Sequence, residues 1–438
     1  MLINFSISNF RSIKDEQHFS MEAEASKSKV DNTFAVTLND GTTAREPSIV
    51  RLVKSSVIYG ANASGKTNLI RAFHTLKHLV TESDTFKVDK KIICYDPFLL
   101  EEGYEAKPTK FQITFIASDS LKYRYEIEYG EKEIYAEKLI CYPKGQPALL
   151  FERVLDNSES HRIEFGRNLK DKPSRKEIFK QQLYLSRFGS DEPNGQLTRI
   201  YRYFAKLEIW NAVDKLRISG LKREISEEIS KPENSRFATR LGKLIKIADT
   251  GIVNIFAVKE VSYFRGDLPD EKKEELIRQN KFRPYATHPV YKDSQNIRGE
   301  DFDLFTDGSE GTNVLFALGG IIIKTLEKGG IIVFDELDNS LHPKLCKFLI
   351  RLFNNPVSNP HNAQLIFATH EVTLLDKDIF RKDQIWFTEK NKFGQTELFC
   401  ANEVEGLRDD TNFELWYRTG KFGGTPNIKE VEFIFGNE

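Results

Sequence analysis

The chain has 438 residues, 39% hydrophobic and 29% charged, with 26 Gly and 15 Pro, which excludes a disordered or fibrous chain and predicts two to three packed domains. Sixty-four Lys and Arg against 65 Asp and Glu leave a formal charge of −1, so a globally basic, phosphate-coating surface is excluded. Cys94, Cys141, Cys346 and Cys400 form no C-x-x-C pair, which speaks against a cysteine zinc site or a disulfide framework and predicts buried thiols in a reducing compartment.

The N-terminus reaches Asn4, Asn9 and Arg11 too early for a secretory signal, and no apolar run approaches 18 residues. We therefore expect a cytoplasmic protein with no membrane contact. Residues 1–20 read as a strand and turn, with Leu2, Ile3, Phe5, Ile7 and Phe10 on a near-alternating pattern. Glu22 to Glu46 is polar without a period and predicts a hairpin or surface loop. Ser56-Val57-Ile58-Tyr59 predicts a short strand ending at Gly60. Asn68 to Val80 predicts a helix with Leu69, Phe73, Leu76 and Val80 on one face.

From Phe111 to Phe165 the period becomes two, as in Tyr123, Tyr125, Ile127 and Tyr129, and predicts an antiparallel lobe attached to something else. Lys176 to Ala248 reads mostly as helix, with Leu197, Ile200, Phe204, Leu207 and Trp210 three or four residues apart. Asp270 to Asn280 predicts a polar helix that Pro284 ends, and strand character returns near His288–Tyr291. From Leu315 onward apolar helices alternate with buried strands, as an α/β sheet requires. The expected division is 1–165, a mostly helical insertion over 166–285, and 286–438.

One segment carries specific chemistry. Gly60-Ala61-Asn62-Ala63-Ser64-Gly65-Lys66-Thr67 matches G-x-x-x-x-G-K-[ST], after a predicted strand and before a predicted amphipathic helix. Gly60 and Gly65 let backbone N–H groups wrap an anion, and the positive helix N-terminus, with Asn68 in its first turn, adds to the site. Lys66 would reach the β- and γ-phosphates, and the Thr67 hydroxyl would join a Mg²⁺ shell. Asn280-Lys281-Phe282-Arg283 and Asn391-Lys392-Phe393-Gly394 lack the Asp of a guanine-reading N-K-x-D, so ATP is the favoured nucleotide.

The run Ile331 to Glu336 is an apolar strand ending in two acids. A buried strand rarely ends in paired carboxylates without a cation or a proton to manage. Asp335 would orient Mg²⁺, and Glu336 would act as general base on the attacking water. Lys66 and Asp335 stand 269 positions apart, so the interval must hold an insertion. Ser309-Glu310-Gly311-Thr312 precedes a predicted helix (Val314 to Leu326), where a Ser and a Gly could grip a γ-phosphate or simply cap the helix. His370 ends the apolar strand Leu365 to Thr369, where a His can contact a γ-phosphate and orient water or serve as an ordinary loop histidine.

This sequence of elements resembles the ABC-type ATPase heads of the SMC and RecF superfamily, and more closely the AbiL/RloA-type abortive-infection ATPases of bacteria. The resemblance rests on NFRS (Asn9 to Ser12), GANASGKTN, DGSEGT, DELDNSLHP (Asp335 to Pro343), ATHEVTLLD and YRTGKFGGTPNI (Tyr417 to Ile428). It implies a P-loop α/β head with an antiparallel lobe and a helical insertion, working as a homodimer or higher homo-oligomer that sandwiches ATP. Lys66, Asp335, Glu336 and His370 would come from one subunit, Ser309 and Gly311 from the other. Ser340-Leu341-His342 would be the loop crossing between sites, and Arg11 would lie near nucleotide. Two departures stand out: the turn has Gly308 where relatives carry an acid before the Ser, and no glutamine can be placed as a lobe-linking Mg²⁺ ligand.

The function implied is an ATP-hydrolysing sensor or regulator in an anti-phage system, controlling a separate toxic effector such as a nuclease. The alternative is a DNA-repair or chromosome-type ATPase that binds nucleic acid directly. Seven Lys/Arg against three Asp/Glu between Arg162 and Lys180 suit nucleic acid or an acidic partner, but read more simply as a solvated face.

Overall fold

The computed structural model describes residues 1–39, 48–155, 161–170, 172, 177–248, 251–259 and 282–423. They form two compact units: one holds Met1–Trp210, Gly330–Asp335 and Ile350–Glu438, the other Asn211–Gly329 and Glu336–Leu349.

The first unit contains two large sheets. Five strands of the expected lobe, Thr109–Ile116, Lys122–Tyr129, Ile134–Cys141, Ala148–Leu155 and His161–Phe165, pair antiparallel in chain order. The lobe is not an appendage. Leu2–Ser8 pairs with Thr109–Ile116 and carries Gln17–Ser20 on its other side, which makes one seven-stranded sheet. The reason lies in Leu2, Phe5 and Ile7, which are buried and must be covered. The polar stretch after Glu22 contains a strand, Thr33–Thr37, paired antiparallel with Ile49–Val53.

The second sheet runs in the order Glu208–Asn211, Ile331–Asp335, Gln364–Ala368, Ser55–Gly60, Ile385–Lys390, Thr396–Cys400. Its four middle strands are parallel and the last pairs antiparallel. The central runs Val57–Tyr59, Ile331–Phe334 and Leu365–Ala368 are apolar without alternation because both faces are buried.

Helix Lys66–Glu82 buries Leu69, Phe73, Leu76 and Val80, the predicted stripe. Phe73 packs at a tilt on Phe5 (centroids 4.2 Å apart) and meets Phe19 edge to face, and Phe19 in turn contacts Trp386 of the parallel sheet. Each buried Phe contributes about 2 kcal/mol, so the helix is held by both sheets. Glu137 and Arg153, both fully buried, add a polar clasp. Glu137 accepts from Tyr125 Oη and from the backbone N–H of Tyr184 and Leu185, while Arg153 donates to the Gln182 carbonyl. Burial raises the Glu137 pKa and pulls Arg153 down to about 10. The clasp fixes the start of helix Tyr184–Phe188, which packs on Lys66–Glu82.

The second unit packs helices Lys215–Ser230, Ser235–Ala248 and Glu310–Lys328 with an antiparallel sheet of Asn254–Lys259, Phe282–Lys292 and Gln295–Asp303. Gly319 and Gly320 lie against Leu244 and Ile225, so the absent side chains set the helix spacing. The expected helix Asp270 to Asn280 and the tail beyond Gly423 lie outside the described residues. Pro284 itself sits inside strand Phe282–Lys292, opposite Ala257. Among the described residues no helix is long and apolar enough to cross a membrane.

Candidate functional site

The phosphate-loop strand is Ser55–Gly60, and its loop leads into helix Lys66–Glu82. Gly65, just before the helix, has φ +117°, a conformation that L-residues with a Cβ rarely adopt. Ala63 also has positive φ (63°). Backbone of this kind turns successive N–H groups into one concavity. Lys66 is 5% exposed. Its Nζ donates to the Gly60 and Ala61 carbonyls at 2.7 and 3.1 Å and lies 3.4 Å from His370 Nδ1.

Asp335 ends its strand and is 3% exposed. One strand, Gln364–Ala368, lies between it and the phosphate-loop strand. Thr67 Oγ1 donates to Asp335 Oδ1 at 3.3 Å. A hydroxyl and a carboxylate so placed are the hard oxygen donors that Mg²⁺ takes. His370 follows strand Gln364–Ala368 and is exposed. Lys66, Thr67, Asp335 and His370, drawn from three distant stretches of sequence, therefore meet at one end of the parallel sheet.

The remaining candidates take other positions. Arg11 pairs with Asp96 (Nε to Oδ2, 3.2 Å), and its N–H donates to the Asp96 carbonyl. Asn68 donates its amide to Ser12 Oγ at 2.6 Å. Glu336 does not continue the strand: it leaves at φ 56°, which costs about 1 kcal/mol for a residue with a Cβ. Ser340, closing the same turn, has φ 63°. In the second unit Ser309 is the N-cap of helix Glu310–Lys328; its Oγ accepts from Thr312 N at 3.1 Å. A Cβ on Gly311 would lie 3.0 Å from the Ser340 carbonyl oxygen, so the turn and the Glu336–Ser340 segment touch within that unit.

Of the twelve non-glycine residues at positive φ among those described, five fall in the motif segments: Asn9, Arg11, Ala63, Glu336 and Ser340. Strain of this kind gathers where backbone groups must be aimed. Three hydroxyls that sequence reading did not single out also surround the loop: Ser12, Thr388 and Thr396. Ser12 at least falls in the NFRS motif; nothing local marks the other two.

Residues 55–376 match the family described as "AAA domain, putative AbiEii toxin, Type IV TA system". The chain belongs to this family. With the parallel sheet and its phosphate loop, the match makes it an α/β P-loop ATPase-type protein. No curated protein matches the chain. Several solved structures are similar at low identity. The SMC head domain from Thermotoga maritima is 13% identical over 91% of this chain and 98% of its own (TM-score 0.39). The Pyrococcus furiosus Smc head, with an extended coiled coil and bound to the C-terminal domain of ScpA, is 12% identical over 91% and 96% (TM-score 0.40). The recombination mediator protein RecF is 14% identical over 91% and 98% (TM-score 0.35).

Proposed function

We propose that this AAA-family protein is an ATP-binding and ATP-hydrolysing regulator in a bacterial abortive-infection system, of the AbiL/RloA type. The phosphate loop carries the reading: Lys66 folded onto the loop, with the Thr67 hydroxyl on the Asp335 carboxylate. Loop N–H groups and the Lys66 ammonium bind the phosphates of ATP. Thr67 and Asp335 would hold Mg²⁺, which when bound neutralises charge developing on the phosphoryl oxygens. Glu336 takes a proton from the attacking water, and His370 orients that water. Ser309 and Gly311 of a second copy close on the γ-phosphate, so that hydrolysis opens the dimer and signals to a separate effector.

The test has two parts. Purified protein should hydrolyse ATP with Mg²⁺, without stimulation by DNA. Coexpression with the protein encoded beside it should produce nucleotide-dependent toxicity in cells. DNA-stimulated turnover with no toxic neighbour would favour the repair-type alternative. A second reading comes from the family's description, which names a toxin: the chain would itself be the toxic half, restrained by its neighbour. Growth arrest on expression of this chain alone would favour that reading.

A further inference from the structure

The parallel sheet ends in two strands, Ile385–Lys390 and Thr396–Cys400, that no motif marks. Each sends one buried threonine to the phosphate loop. Thr396 Oγ1 donates to the Ser64 carbonyl at 2.8 Å and lies 2.7 Å from Ser12 Oγ. Ser12 Oγ in turn accepts from Asn68 Nδ2 at 2.6 Å, and the Ser12 carbonyl accepts from Thr396 N at 2.7 Å. On the other side of the loop, Ser64 Oγ and Thr388 Oγ1 are 2.6 Å apart, and Thr388 Oγ1 reaches the Tyr59 carbonyl at 3.3 Å.

Proton bookkeeping gives this network a direction. A hydroxyl has one proton to donate. The Thr396 proton goes to the Ser64 carbonyl, so Ser12 must donate to Thr396. Ser12 is then left to accept from Asn68, as the geometry shows. The chain runs one way, from helix residue Asn68 through Ser12 and Thr396, and terminates on one carbonyl of the loop. In a trans peptide the carbonyl and the following N–H point to opposite sides. Fixing Ser64 C=O toward Thr396 therefore turns Gly65 N–H away from it. A carbonyl that accepts a strong hydrogen bond also makes its own amide N–H the better donor. The contact is tight as well: a Cβ on Gly65 would collide with the Thr396 side chain.

We propose that Thr396 and Ser12 are positioning residues for nucleotide binding. Their hydroxyl chain holds the Ser64–Gly65 peptide plane in the orientation that presents Gly65 N–H to phosphate. This rests on the reading of the loop as an ATP site. Neither residue touches nucleotide; both act through the loop backbone. The Ser12 link also ties the turn after the N-terminal strand to the loop.

The test uses full-length Thr396→Val, which keeps shape and removes the hydroxyl, beside Thr396→Ser, which keeps the hydroxyl. Nucleotide affinity is measured by fluorescence titration with ATP and ADP, hydrolysis is resolved into KM and kcat, and melting is recorded without nucleotide. Thr396→Val should weaken both nucleotides about 10-fold, the effect of losing the buried hydrogen bond to the Ser64 carbonyl, and raise KM more than it lowers kcat. Thr396→Ser should restore wild-type affinity. Ser12→Ala removes the hydroxyl that holds Thr396 but leaves the Thr396 bond to the Ser64 carbonyl, so it should lose less. Its combination with Thr396→Val should lose no more than Thr396→Val alone, because both act through one chain. If Thr396→Val fails to fold, Ser12→Ala alone decides. Wild-type affinity in the hydroxyl-less variants overturns the proposal while leaving the ATP site standing; so does an equal loss in Thr396→Ser. Wild-type protein that takes up no nucleotide overturns both.

Discussion

The phosphate loop and the Ser309 turn are both glycine-bearing tips at the N-terminus of a long helix, yet they are furnished in opposite ways. At the loop, Lys66, Ser64, Thr388 and Thr396 are buried and bonded to one another or to loop carbonyls. At the turn Ser309 and Glu310 are exposed, and Ser309 Oγ serves its own helix through Thr312. A site whose polar atoms are wired from several directions can hold an anion without help. A bare helix tip offers only one side of a site, so its usefulness depends on what is brought against it. That contrast supports the reading in which the loop binds ATP within one chain and the turn completes the site of another.

Mutations at the two places should separate them. Lys66→Ala removes the cation of the loop and should abolish ATP binding in calorimetry; undiminished affinity would end the assignment of the loop. Glu336→Gln should lower hydrolysis by about 10²–10⁴-fold while ATP still binds, trapping an ATP-loaded dimer visible by size-exclusion chromatography. Near-normal turnover would move the base to another residue, His370 first.

Gly311→Arg acts on the turn alone. With Ser340 O only 3.0 Å from the Cβ position, the larger side chain must project outward or disturb the Glu336–Ser340 segment. Hydrolysis should stop while nucleotide affinity stays largely intact. Mixing this variant with Lys66→Ala subunits should restore part of the activity, since each mixed dimer regains one sound site. No rescue, once subunit exchange is demonstrated, would contradict a site shared between copies or require both sites at once. The mildest change is Ser309→Ala, which should cost about 1 kcal/mol in denaturant unfolding as a lost N-cap. If hydrolysis is untouched by it, the turn is a cap and nothing more.

What could be read in the sequence follows from how local each signal is. The strand before the loop, the helix after it and the acid-ended strand each carry their pattern within a dozen residues, and each lies where expected, with ends shifted by a few positions. Glu336 could not be told from a strand residue, because its departure at φ 56° depends on the turn it enters. That Pro284 lies in a strand opposite Ala257 could not be read locally, because the pairing is with a residue 27 positions upstream. The strand Thr33–Thr37 carries only the short apolar run Phe34-Ala35-Val36, so the stretch reads as either a hairpin or a loop until its partner Ile49–Val53 defines it. Thr388 and Thr396 were invisible for a different reason. Their importance lies in meeting a loop more than 300 residues upstream, and a single threonine carries no record of that meeting.

The pairing of strand Ser55–Gly60 has a consequence for how the protein is made. Its two neighbours are Gln364–Ala368 and Ile385–Lys390. During synthesis this strand emerges early and has no neighbour in its sheet until Gln364–Ala368 has been made. At about 5–20 residues per second that wait lasts some tens of seconds. The nascent chain must therefore keep a sticky strand edge shielded throughout, and fragments that end before Gln364 are expected to aggregate or be degraded before they can compete for ATP.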